Sequence, residues 1–263
     1  MALAWSPRSG AWLRAAPVWI AMAAVAAASW AWLARMSHAM STPGGASMHA
    51  GMAMGSGGAE ALIAALAMWS VMMLAMMLPS VAPSASMFAT LSARRDAEGA
   101  RRASASYVTG YVSAWIGYGA AAALAQWLLA HVLLLDPMAQ STSAWLSAAI
   151  VLGAGAFQFT PLKQACLSKC RTPLAFFMAK WRDGARGAVV VGLQHGSYCV
   201  GCCWALMAVM FVVGAMNLVW MAALTLLILA EKVTPARWRF DRWVGVALLA
   251  AGSWVAIAAA ASP

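Results

Sequence analysis

Apolar runs long enough to cross a hydrocarbon core recur along the chain, separated by short cationic or Gly/Ser-rich segments. Residues 17–34, 61–78, 107–130, 143–160, 188–213, 216–230 and 243–261 each read as a helix of that kind. A lipid-embedded backbone must satisfy its own polar groups, so the pattern predicts an all-α, polytopic transmembrane helix bundle of about seven spans. Arg8 and Arg14 precede the first run without any acid, and small residues around Ser29 to Ala31 resemble a cleavage site. The count is six if that run is a cleaved signal. Its length favours a retained span. Pro79 and Pro83 are expected to close or kink the second helix after Leu78, and Gly153 and Gly155 to admit close helix contact in the fourth. Residues 1–60 then form an N-terminal span with an external Met/His-rich linker, and residues 61–263 a six-helix membrane domain.

The chain is 64% hydrophobic and only 9% charged, which excludes an ordinary soluble domain. Its net charge of +10 would suit nucleic acid, but the cations cluster in short loops and topology accounts for them. With the N-terminus inside, sixteen of the seventeen Lys and Arg residues fall on the cytoplasmic side and only Arg35 lies outside. A multi-pass protein of the bacterial inner (cytoplasmic) membrane follows, with the lipid bilayer as a partner and no nucleic acid. No phosphate-cradling glycine loop, Ser/His/Asp set or paired catalytic carboxylates occur, so this chain alone is not an ATP-driven pump.

Sulfur then changes the picture. Within Gln194–Met207, residues His195, Cys199, Cys202, Cys203 and Met207 share one helical face. Cys166 and Cys170 lie four apart between Pro161 and Pro173, in a cationic and aromatic segment (161–186) expected to lie along the inner interface. Met68, Met72 and Met76 fall on one face of the second helix, either as core filler or as a thioether ladder facing the cysteines. Met48, His49, Met52 and Met54 sit in the 35–60 linker, where they read as external metal capture or as low-complexity drift. Tyr107, Tyr111, Trp115 and Tyr118 form a stripe read as packing with phenol hydrogen bonds.

Thiolate and thioether ligands select Cu(I). Zinc accepts cysteine and histidine but leaves the methionines without a role. The expected function is Cu(I) binding and delivery, with Cys199, Cys202 and Cys203 holding the ion and Cys166 and Cys170 forming a second site. The alternative is a membrane thiol-disulfide oxidoreductase that uses the Cys199/Cys202 and Cys166/Cys170 pairs with a quinone. Against it, positive-inside topology puts Cys166 and Cys170 in a reducing compartment.

Met68–Ser80, Thr160–Pro173, Gly196–Met207 and Met216–Met221 with Glu231-Lys232 are similar to the signatures of a family of predicted metal-binding integral membrane proteins, DUF2182. The resemblance covers about residues 60–232. It implies metal binding and copper handling linked to oxidase assembly, with a membrane oxidase or copper-relay protein as recipient. Phe157 stands before Gln158 where that family is expected to carry a tyrosine.

The topology has a direct check. Reporters fused after Arg102 and Arg186 are expected to be cytoplasmic, and those after Gly58 and Asp136 external. A cytoplasmic reporter at Gly58 would remove the 35–60 linker from any role in external capture.

Overall fold

The computed structural model describes residues 11–41, 58–132, 134–135, 140–215 and 217–261. In chain order the helices are α1 (Ala11–Ser41), α2 (Ala59–Arg95), α3 (Ala100–His131), α4 (Ala144–Phe157), α5 (Pro161–Arg171) and α6 (Pro173–Lys180). They continue as α7 (Gly184–Ala208), the short α8 (Met210–Val213), α9 (Leu218–Val233), a 3-10 turn at Ala236–Trp238, and α10 (Phe240–Ala261). The only β pairing among the described residues is an isolated bridge between Leu135 and Ser141.

Among the described residues, five helical stretches are long and apolar enough to cross a membrane: Ala16–Ala39, Ala59–Arg95, Ala100–His131, Gly184–Val213 and Ala236–Ala261. A sixth is reached if α4 and α5, bent by 64° at residues 158–160, count as one broken span. The seventh expected span is α9, which has 16 residues. At 1.5 Å per residue it reaches about 24 Å, short of a hydrocarbon core of about 30 Å. Two of the elements too short to span alone, α5 and α9, bring side chains to the thiol cluster described below.

The second helix departs from expectation. It does not end at Leu78 but runs for 37 residues through Pro79 and Pro83. A proline inside a helix frees the carbonyl four residues earlier, which for Pro79 is Ala75. That carbonyl accepts a hydrogen bond from Trp30 Nε1 of α1 at 2.9 Å. One turn later, the Ser80 hydroxyl donates to the Met77 carbonyl at 3.0 Å. With the Ala75 carbonyl partnered, the helix continues through Pro79.

Helices α3 and α7 touch backbone to backbone. A Cβ on Gly192 would lie 2.0 Å from the Tyr107 carbonyl oxygen, and one on Gly110 2.1 Å from that of Val189. Only glycine fits at either position. The contact sets Tyr107 and Tyr111 directly against His195 and Cys199. In the fourth span Gly155 admits Leu249 of α10, whereas Gly153 faces open space.

Helix α5 opens on a Thr160 cap, whose Oγ1 accepts from Lys163 N at 3.3 Å, with Pro161 in the first turn. The segment expected to lie along the interface instead folds into the bundle: Cys166, Leu167, Cys170, Phe176 and Phe177 are buried, while Leu174 and Met178 stay exposed. Ionic contacts hold it there. Lys163 Nζ donates to Glu231 Oε2 at 2.7 Å, with both side chains at most 1% exposed. Arg171 donates to the Glu231 carbonyl at 2.8 Å and pairs with Asp241 at 3.3 Å. Gln164 donates to Asp241 at 2.5 Å. Two cations thus face two carboxylates at the junction of α5, α9 and α10.

Removing one partner of a buried pair strands a charge, at a cost of about 3–5 kcal/mol, whereas an apolar pair of similar volume is often neutral. We therefore expect Lys163→Met to lower the unfolding midpoint in detergent sharply, and Lys163→Met with Glu231→Met to recover most of the loss. Equal destabilisation by the single and double variants would show that the pair is not coupled.

Candidate metal centre

Cys199, Cys202 and Cys203 occupy successive positions on the buried face of α7. Cys170 comes from the last turn of α5, which packs across α7. The ligand atoms of Cys170, Cys199 and Cys202 all lie within 4.8 Å of one another, and all three residues are buried. A metal–sulfur bond is about 2.3 Å, so sulfurs bound to one ion lie up to about 4.6 Å apart. The observed spacing is on that scale. All five cysteines of the chain are free thiols.

The other two cysteines flank the trio. Cys203 Sγ donates to the Cys199 carbonyl at 3.0 Å, as Cys202 Sγ does at 3.1 Å. Cys166 Sγ fills the space beside Gly201, where a Cβ would come within 2.8 Å of it. The glycine of Cys199-Val200-Gly201-Cys202 is therefore the seat on which α5 rests. The grouping differs from a division into a Cys199/Cys202/Cys203 site and a separate Cys166/Cys170 pair: one cysteine of the second set completes a trio with two of the first.

Cys199 is the polar hub. Lys232, the penultimate residue of α9, donates from Nζ to Cys199 Sγ at 2.9 Å and to Ser80 Oγ at 2.9 Å. An ammonium has no lone pair, so sulfur is the acceptor in this contact. The Tyr111 hydroxyl lies 3.0 Å from Cys199 Sγ and 3.3 Å from Ser80 Oγ. Three elements thus meet at one sulfur: α7 carries it, α3 and α9 bring Tyr111 and Lys232 to it, and Ser80 of α2 links those two. Lys232, Ser80 and Tyr111 were not singled out as site residues from sequence. For Lys232 a signal existed, since an acid–base dipeptide closing an otherwise apolar helix needs two separate partners to be tolerated. Glu231 turns to Lys163 and Lys232 to the sulfur.

His195, one turn before Cys199, is not one of the sulfur group. Its Nδ1 hydrogen-bonds the Tyr107 hydroxyl, and its Nε2 is buried without a partner. Phe176, Phe177, Tyr107 and Tyr111 surround the ring. The aromatic stripe of α3 packs and hydrogen-bonds as expected: Tyr107 stacks on Phe88 at 4.5 Å between ring centroids, and Tyr118 donates to the Trp204 carbonyl at 3.0 Å. Met68, Met72, Met76 and Met207 are buried in the same apolar cluster as the five cysteines. Met48, His49, Met52 and Met54 lie outside the described residues.

Three soft sulfurs, a cation and a phenol at the junction of several helices form a place for a soft metal ion rather than a hydrolytic or nucleotide site. No curated protein and no solved structure matches the chain. A family model, PpoB2, described as a copper chaperone, matches residues 66–255. That span takes in all five cysteines, the methionines of α2 and Lys232. A stretch covering more than half the chain, with a buried trio of thiols inside it, makes this protein a member of the PpoB2 copper chaperone family.

Proposed function

We propose that the protein is an integral membrane chaperone that holds Cu(I) between α5 and α7 and passes it on, with Cys170, Cys199 and Cys202 as the holding ligands. The observation that carries this reading is the convergence of three buried sulfurs from two helices. Cu(I) accepts two or three sulfur ligands in an apolar place, whereas structural zinc takes four nitrogen or sulfur ligands. His195 Nδ1 is engaged by Tyr107, and no imidazole nitrogen lies in the group of three sulfurs. Met68, Met72, Met76 and Met207 supply softer, uncharged sulfur for transfer toward or away from the trio. Cys166 and Cys203 support the trio through packing and backbone contact. Met48, His49, Met52 and Met54 collect the ion outside. The site of action is the bacterial inner membrane, with the N-terminus in the cytoplasm, and the recipient is a membrane oxidase or a copper-relay protein.

Metal analysis of detergent-purified protein, with thiol titration before and after copper removal, tests this reading. Bound copper with sulfur-only coordination is expected. Failure to bind Cu(I) under reducing conditions would overturn it. A disulfide between Cys199 and Cys202 in membranes of growing cells that cycles with quinone would favour the thiol oxidoreductase instead.

Substitutions separate the sulfurs. Thiolates bring charge as well as sulfur, so Cys170→Ser and Cys199→Ser should each weaken copper binding by more than the roughly 10–100-fold lost with a supporting group. Cys203→Ser should retain more copper than either. Retention of full affinity in Cys170→Ser would remove α5 from the site.

The methionines have their own test. Met72→Leu with Met76→Leu keeps volume and apolarity, at a folding cost below about 1.5 kcal/mol per swap. The double variant should insert normally and load copper more slowly. Unchanged loading and transfer would leave these methionines as core packing.

A further inference from the structure

Lys232 has no carboxylate within ion-pair distance among the described residues; its neighbour Glu231 is engaged by Lys163. Its ammonium is held instead by Ser80 Oγ and Cys199 Sγ, each at 2.9 Å. Ser80 is fixed in turn by its hydrogen bond to the Met77 carbonyl. Lys232 therefore places its Nζ directly against a sulfur of the thiol trio.

We propose that Lys232 is the specificity-determining residue of the thiol site, its fixed ammonium favouring a monovalent over a divalent ion; the proposal rests on the copper reading above. The reason is charge balance in a place of low dielectric, where the penalty for net charge grows steeply. Two thiolates with a monovalent ion leave one negative charge, which the ammonium cancels. The same two thiolates with a divalent ion are already neutral, and the ammonium then leaves the site positive. With three thiolates the ammonium reduces two surplus negative charges to one for the monovalent ion, and one to none for the divalent ion. Because the penalty rises faster than linearly, the larger surplus gains more. For either number of thiolates the ammonium moves the balance the same way. Thiol sulfur alone accepts zinc as well as copper, so the cation supplies a discrimination that the sulfurs lack. A thiolate sulfur has lone pairs enough to ligate a metal and accept from Lys232 together.

Purified full-length protein, its Lys232→Met variant and its Lys232→Arg variant are compared anaerobically. The affinity of each for Cu(I) alone and for Zn(II) alone is measured by chelator competition. Lys232→Met should shift the Cu(I)/Zn(II) affinity ratio toward zinc by at least about tenfold, since one unit charge at about 4 Å contributes more than that at an effective dielectric constant of about 20. Lys232→Arg retains the charge and should hold the ratio close to that of the unmodified protein. Should Lys232→Met fail to insert, Lys232→Gln provides a second neutral variant with the same expected shift. An unchanged ratio, with both affinities falling together, would overturn the selector role and leave Lys232 as a positioning residue only. A shift toward Cu(I) would also overturn it. Absence of Cu(I) binding by the unmodified protein would instead overturn the copper reading, and this inference with it.

Discussion

The buried contact between Lys163 and Glu231 is the constraint from which the centre of this protein is built. Neither charge is tolerable alone in an apolar bundle, and each finds its partner only when the first turn of α5 meets the last turn of α9. That meeting has two consequences. It folds α5 into the bundle, so that Cys170 reaches the cysteines of α7. It also occupies Glu231, so that the adjacent lysine turns to Cys199. Arg171, Gln164 and Asp241 extend the contact to α10 and fix the far end of α5. Thiol geometry and site charge are thus outcomes of one ionic junction formed by elements that do not span the membrane singly.

A second constraint works from the opposite side. The glycine contacts between α3 and α7 bring two tyrosines against the histidine and the central cysteine. Phenols suit this position because they carry a large apolar ring and a single polar tip. Irregular backbone and polar groups are tolerated in an apolar setting where they line a protein interior, and at the bend between α4 and α5 the Gln158 side chain is buried. The thiol trio draws one of its three sulfurs from the short helix α5.

Much of this was legible in the sequence. Hydrophobic runs place most of the long helices, because length and apolarity alone decide whether a segment suits a hydrocarbon core. The cysteine-rich stretch of α7 announced its chemistry through residue type and helical spacing. The grouping of the sulfurs was not legible, since whether Cys170 or Cys203 joins Cys199 and Cys202 depends on how α5 crosses α7. Periodicity carries no such information. Lys232 and Ser80 are separated by 152 positions along the chain and meet only in the fold. The helix through Pro79 misled a local rule for a tertiary reason: the carbonyl that the proline frees is partnered by an indole from another helix.

That indole gives α1 an importance that its position suggests poorly. The family match begins at residue 66, after α1 has ended. Yet Trp30 of α1 completes the hydrogen bonding of α2 at Ala75, one turn before the proline and within two turns of Ser80. The first helix acts as a splint across a joint in the second, and the joint carries the serine that steadies Lys232. The packed unit is therefore longer than the segment that the family model matches. A helix with no sulfur of its own at the site is thus linked to the thiol cluster through a single indole hydrogen bond to its neighbour.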